Sequence, residues 1–315
     1  MSKYLNVFNT LAEYQAFSAS TEYVQPNVAL VKETNVLYYN YGDNKPHPNY
    51  TDYKVSSRSL VSDGGNTYGL NEKLCLNYIP SSVTSLESAF SGWTSLEEVT
   101  CEIPNSVTSL PSTFEGCSSL VKAPNIPGSV TSLPSTFRDC TSLVNVPNLP
   151  NSITDMRSTF NGCTSLTTAP DIPNSVRNMS DTFANCTSLV NAPDIPSSVI
   201  NMSSTFYGCT SLTTAQDMPS GVKSISFTFS QCSSLVNAPA IPSGINDMKY
   251  TFQLCSSLKE LTFLMITPPS YSNTLSGCSK LETIYVPDSA VSAYKTATGW
   301  SQFASMIKPL SEKAK

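Results

Sequence analysis

The sequence predicts a solenoid, a rod of stacked 23-residue coils, and three observations predict it. Eight cysteines, Cys117, Cys140, Cys163, Cys186, Cys209, Cys232, Cys255 and Cys278, follow one another at a constant step of 23 residues. Phenylalanines keep the same beat from Phe90 through Phe114, Phe137, Phe160, Phe183, Phe206, Phe229 and Phe252, after one interval of 24. A fixed period of about 20–29 residues marks units that bury their apolar face only against a neighbouring copy. Charged residues, finally, are 13% of the 315, against about 25% in ordinary domains. A charge stacked directly above its own copy repels it, so a rod of this kind keeps its surface wet with Ser, Thr and Asn.

Three segments follow from the limits of the repeat: an N-terminal module over 1–72, the solenoid over 73–283 and a cap over 284–315. In the first, Thr10 with Glu13 reads as a capping box that opens a helix to about Ala19. The run VALVKETNVLYYN (28–40) reads as a hairpin turning about Glu33–Asn35. Proline, glycine and polar residues from Gly42 to Asn71 suggest an irregular linker or a loop-rich cap. The module is therefore a small α+β unit.

One coil, Leu166 to Cys186, shows how the repeat is built. Its apolar positions are Leu166, Ala169, Ile172, Val176, Met179, Phe183 and Cys186, a spacing that imitates a helix. Pro170 and Pro173 veto a helix in the first half, and recur as Pro124 and Pro127, Pro147 and Pro150, and Pro193 and Pro196. The coil is expected to hold a short parallel strand around Leu166–Thr168, a Pro-Asp turn, an extended stretch, and a tight helical or 3-10 turn at Ser-Thr-Phe-x-Gly-Cys. Gly116, Gly162 and Gly208 precede their cysteines, where the chain is expected to need positive φ. Met156, Met179, Met202 and Met248 share a column with Leu110 and Leu133, an interchange that cores accept.

The cysteines are read as buried free thiols. Stacked side chains point along parallel vectors about 4.8 Å apart, whereas a disulfide needs Cβ atoms turned toward each other at about 3.8 Å. Eight full coils from Leu74 to Cys255 and a degenerate ninth ending near Cys278 give a rod about 40 Å long, at about 4.8 Å per coil. At its end, Asp288 is expected to N-cap a helix through about Thr298, which Gly299 closes. Trp300, Phe303, Met306 and Ile307 supply apolar cover.

The string Cys-Thr-Ser-Leu-x-x-Ala-Pro-x-Ile-Pro-x-Ser-Val-x-x-Met-x-x-Thr-Phe, seen whole at 163–183, resembles the BspA-like, Treponema-type leucine-rich repeat. The tail IYVPDSAVSAYKTATGW (284–300) is similar to the segment that closes many such arrays. The resemblance spans about 75–310 and implies a leucine-rich repeat solenoid, bacterial surface adhesion and no shared catalytic residue. The added proline at Pro170 departs from the family pattern and should shorten the strand. Separately, NVALVKETNVLYYN (27–40) resembles a short module of structural proteins of gut Bacteroidales phages, which implies attachment to a virion through contacts with other virion proteins.

Catalysis has little to stand on. His47, the single histidine, lies in the proline-flanked KPHPN and reads as an exposed loop residue. No cofactor motif occurs. The net charge of −5 comes without a basic stripe, which argues against nucleic acid. The opening MSKYLNVFNTLAEYQ lacks a basic region followed by an apolar run, so no leader is expected, and no run is long enough to insert in a membrane.

Two surface ladders remain. The two positions after each column leucine alternate between Val-Asn and Thr-Thr, giving Asn145, Thr167, Thr168, Asn191, Thr213, Thr214 and Asn237 as a strip suited to a host glycan or protein. Copying of a two-coil unit explains the alternation equally well. Asp171, Asp194 and Asp217, aligned with Asn125 and Asn148, are a calcium candidate or ordinary turn residues. These readings converge on a non-enzymatic recognition protein of a phage virion. A BspA-like adhesin on the bacterial surface is the alternative, and a purely structural virion decoration the third reading.

Overall fold

The computed structural model describes residue 79 and residues 83–313 in full, and before them the backbone of five strands. These are β1 (Leu5–Phe8), β2 (Asn27–Val31), β3 (Val36–Asn40), β4 (Tyr53–Ser57) and β5 (Leu74–Tyr78). The expected helix between Thr10 and Ala19, and His47, lie outside the described residues. With β6 (Leu96–Val99) the strands form one sheet in chain order. β2 and β3 pair antiparallel, with Val31 opposite Val36. The stretch 42–71, expected to be irregular, contains β4, which pairs antiparallel with β3 and β5. Tyr53 and Val55 alternate there with Lys54 and Ser56, a pattern that fits a pleated surface but is short enough to be lost among the flanking prolines and glycines. β5 and β6 pair in parallel, the geometry of stacked coils.

Beyond β6 each column closes on its copies. Leu166, Val176, Met179, Phe183 and Cys186 are fully buried, as are Leu143, Ile153, Met156, Phe160 and Cys163. Consecutive rings from Phe90 to Phe252 stand 5.4–5.8 Å apart with planes within 2–15° of parallel. The core is one coil wide and runs the length of the rod.

The expected strand around Leu166–Thr168 shrinks to a single bridge per coil, at Thr168↔Asn191, Asn191↔Thr214 and Thr214↔Asn237. Proline two residues further on removes the next ladder donor. Where that position is Thr100 or Thr262, true strands appear: β6 and β7 (Glu260–Thr262). Gln216 lacks the proline, yet its neighbours carry Pro193 and Pro239, and no strand forms. A second row of bridges, Asp155↔Asn178 and Asn178↔Asn201 among them, runs just before the Met column.

The Ser-Thr-Phe-x-Gly-Cys segment is not a helical turn. Two residues per turn are left-handed, Ser158 at φ 53 and Gly162 at φ 76 in one coil, Asp181 at 55 and Asn185 at 59 in the next. Amides of Thr159, Asn161 and Cys163 donate three residues back, at 3.1–3.2 Å, while those of Met156, Ser158, Phe160 and Gly162 donate into the following coil at 2.8–3.0 Å. A 3-10 helix would keep all of these donors within one coil. Left-handed residues turn alternate donors outward, and that forward set joins the coils.

The rod ends in a parallel sheet of β7, β8 (Thr283–Val286) and β9 (Ile307–Pro309), the last of which the sequence pattern did not reveal. Between β8 and β9 a 3-10 turn (Asp288–Ala290) leads into α1 (Val291–Thr296), shorter than expected. Asp288 does not cap it; its Oδ1 accepts the Ser311 amide at 3.0 Å. Trp300 is fully buried, in edge contact with Phe263, Tyr271 and Tyr294, and its Nε1 donates to the Pro269 carbonyl at 2.7 Å. Gly299 has φ +80, and a Cβ there would lie 2.5 Å from Tyr271.

Removing a central rung tests the ladder. Phe183→Ala deletes a fully buried ring between two stacked partners and should lower stability by about 3–5 kcal/mol. Denaturant titration checks this, and a loss below about 1 kcal/mol would place Phe183 outside the core.

Candidate binding surface

The strip after the column leucines is brought together along the rod. Asn145, Thr167, Thr168, Asn191 and Asn237 are exposed; Thr213 and Thr214 are half-buried. Their backbone is held by the bridges between coils, so the side chains are not required to stabilise it. Two hydroxyls are engaged: Thr214 Oγ1 donates to Asn191 Oδ1 at 3.0 Å, and Thr213 Oγ1 to the Val190 carbonyl at 3.3 Å. Val144 and Val190 stand beside the amides at 43% and 42% exposure. The surface therefore alternates aliphatic-plus-amide rungs with hydroxyl rungs. Its amides both donate and accept, while its valines give up water cheaply.

Asp171, Asp194 and Asp217 are exposed. Asp217 Oδ1 accepts the Ala240 amide at 3.1 Å, a cross-coil turn contact. Among the described residues, no three His, Cys, Asp or Glu side chains gather closely enough to hold a metal ion. The aspartates thus act singly, as turn residues do.

The thiol column is more than a set of small apolar groups. Cys117 through Cys255 are buried and free. Each Sγ, Cys278 included, donates to the carbonyl of the Phe in the preceding coil at 3.0–3.1 Å. Burial pushes the Cys186 thiol up to about 12 and holds Cys163 and Cys209 well above the usual thiol range. A thiolate nucleophile is the opposite of what this environment favours.

Sequence reasoning missed a second internal column. Thr113, Thr136, Thr159, Thr182, Thr205, Thr228, Thr251 and Thr274 are all fully buried. Thr159 Oγ1 donates to the Leu133 carbonyl at 2.7 Å and Thr182 Oγ1 to Met156 at 2.8 Å. The signal was present, since a threonine precedes each phenylalanine of the column from Phe114 to Phe252, but a polar letter does not register in an apolar pattern. Ser129, Ser152, Ser175 and Ser198 likewise donate to the Val or Ile carbonyl of the preceding coil at 2.5–2.7 Å. Of the described buried side-chain N and O atoms, Ser226 Oγ and Tyr294 Oη have no partner.

Parallel coils, a one-coil core and a bridge ladder define a leucine-rich repeat solenoid. The model of the BspA type leucine rich repeat region matches residues 71–190 and 180–299, in six copies, and the chain belongs to that family. Among solved structures it is similar to a leucine rich cell surface protein from Faecalibacterium prausnitzii A2-165, at 22% identity over 71% of this chain and 82% of that one, with a TM-score of 0.37. It is also similar to the leucine rich repeat protein of T. pallidum, at 23% identity over 66% and 83%, with a TM-score of 0.42. A leucine-rich repeat protein from Bacteroides ovatus matches at 21% identity over 75% and 83%, with a TM-score of 0.34. No curated protein matches the chain.

The thiols also set an alkaline limit. Their folded pKa values are raised, so stability is fully present below the unfolded value of 9.0 and falls as pH rises toward the folded value, about 12 for Cys186. Each thiol contributes a slope of about 1.4 kcal/mol per pH unit in that window. The urea midpoint in reductant should hold from pH 7 to 8.5 and fall steeply above 9. Cys163→Ala with Cys186→Ala should make the fall shallower, and a midpoint unchanged to pH 11 would contradict a buried thiol column.

Proposed function

We propose that this chain is a non-enzymatic recognition protein of a bacterial surface, which binds a host glycan or protein along the strip from Asn145 to Asn237. The observation that carries the reading is the strip itself: a row of amides and hydroxyls, interleaved with exposed valines, on a backbone already satisfied by its neighbours. Membership of the BspA type family supports a repeat array used for contact rather than turnover. In this reading residues 73–283 present the surface, residues 1–72 connect the rod to its carrier, and residues 284–315 close its far end. Neither a cofactor nor a metal is needed.

The virion reading gives residues 1–72 a different carrier, other virion proteins, and rests on the likeness of 27–40 to phage modules. The thiol column does not separate the two. A thiol that is buried and hydrogen-bonded stays reduced whether the protein matures in a reducing or an oxidising compartment.

The test uses the full chain and the triple variant Asn145→Ala, Asn191→Ala and Asn237→Ala. Binding of labelled protein to host cells should fall about tenfold, which is about 1.4 kcal/mol. The Tm should hold, because exposed substitutions of this kind usually change stability by about 0.5 kcal/mol or less. Unchanged cell binding would overturn the strip. Immunogold labelling of the source cells separates the carriers: label on the envelope supports the surface reading, and label on phage particles replaces it with the virion one.

A further inference from the structure

The turn face of the rod carries a second surface, separate from the strip. In six coils the first left-handed residue of the turn is small and polar: Ser88, Ser112, Ser135, Ser158, Asp181 and Ser204. In the next two it is Phe227 (φ 58) and Tyr250 (φ 56). The repeat imposes this φ on every coil, and bulky side chains rarely adopt it, so serine is the residue expected at the position. The two rings stack with centroids 4.8 Å apart and planes at 11°, and both stay partly exposed. Tyr250 covers one face of Phe227. On the other side the same column holds Ser204, a far smaller residue.

Polar groups stand in the same and the preceding turns. Tyr207, in the coil of Ser204, accepts a hydrogen bond from Gln231 Nε2 at 2.6 Å, which keeps the Gln231 carbonyl and the phenol proton for other use. Asp181, one coil further, holds a half-buried carboxylate hydrogen-bonded to Ser204. The backbone offers nothing to an incoming strand, because the amides of Phe227, Gln231 and Tyr250 already donate to the following coil at 2.7–3.0 Å. The Asp181 carboxylate, with the Arg138 guanidinium near enough to favour its charge, leaves that side without a net positive field to draw an anionic chain. The exposed cation Lys249 lies in the coil beyond Phe227, with Tyr250.

We propose that Phe227, backed by Tyr250 and with Tyr207, Gln231 and Asp181 on the same and the preceding turns, is a carbohydrate subsite that takes a pyranose ring of a neutral polysaccharide. The C–H face of the sugar packs on the side of Phe227 turned away from Tyr250, over Ser204. Its hydroxyls meet the phenol, the carboxamide and the carboxylate, a set that both donates and accepts. An extended peptide would look for free backbone amides and a polyanion for clustered cations, and this face supplies neither.

Affinity electrophoresis of the full chain through gels containing xylan, mixed-linkage β-glucan, galactomannan or starch tests the proposal. At least one gel should retard the wild type. Phe227→Ser with Tyr250→Ser restores the residue that other coils carry at this φ, so it should keep or raise the Tm while weakening retardation at least tenfold. The triple asparagine variant of the strip should be retarded as strongly as the wild type, so failure of one surface is distinguishable from failure of the other. Absence of retardation in every gel, or equal retardation of the double variant, overturns the subsite and leaves the rings as a brace between coils. Should the double variant melt early, Gln231→Ala decides: retardation weakened severalfold at unchanged Tm supports the subsite, and unchanged retardation overturns it.

Discussion

In each turn the Phe carbonyl and the Leu, Met or Ile carbonyl ahead of it take a side-chain hydrogen bond from the following coil, and that link shapes the rest of the molecule. The Phe137 carbonyl accepts the Cys140 amide at 3.1 Å and the Cys163 thiol at 3.1 Å. The Leu133 carbonyl accepts the Thr136 amide at 3.3 Å and the Thr159 hydroxyl at 2.7 Å. A core one coil wide offers such a carbonyl no water, so the added bond contributes about 0.5–1.5 kcal/mol and ties one coil to the next. Small side chains with one donor make that bond without adding volume. Threonine and cysteine therefore stand as columns inside the rod beside phenylalanine and leucine.

Stacking in register also restricts what each turn carries. At the second left-handed position Asp139, Gly162, Asn185 and Gly208 alternate side chain with glycine, after which Gln231 and Leu254 stand in succession before Gly277. A Cβ at Gly162 would lie 2.2 Å from Asp139 Oδ1, at Gly208 2.6 Å from Asn185 Oδ1, and at Gly277 2.7 Å from Leu254 Cδ2. In these three pairs the side chain folded over the next turn leaves room only for glycine there, and from Asp139 to Gly208 the pattern repeats every two coils, a natural copying unit. The Val-Asn and Thr-Thr alternation on the strip travels with that unit. Its period therefore says little about a ligand, and the functional argument rests on exposure and on the chemistry of the side chains.

Much of the fold was legible because 23-residue periodicity converts letters into columns. The Leu, Val, Met, Phe and Cys positions named from one coil are buried along the array, Cys278 at its end only partly, and the proline after Ala169 shortens the strand as its missing donor requires. Where the reading failed, the decisive feature lay between coils. The Ser-Thr-Phe-x-Gly-Cys turn has a helix-like spacing, but its left-handed residues send donors across the stack, which a single coil cannot show. Asp288 has the chemistry of a cap, yet Ser311 is brought close enough to claim its carboxylate. On the strip, residue types and placement were readable, and the hydrogen bond from Thr214 to Asn191 was not. The aromatic pair of Phe227 and Tyr250 was visible only as a departure from serine, and gained meaning once both residues proved left-handed.

Distances between nitroxide labels along one column test the stacked register most directly. Cys75, Cys101 and Cys278 would be replaced by serine, and label pairs placed at positions 145 and 237 or at 122 and 260 while the buried thiols stay unlabelled. These pairs are four and six coils apart, so at about 4.8 Å per coil the account expects backbone separations of about 19 and 29 Å. Separations that do not grow in proportion to the number of intervening coils would contradict in-register stacking, and with it every column described.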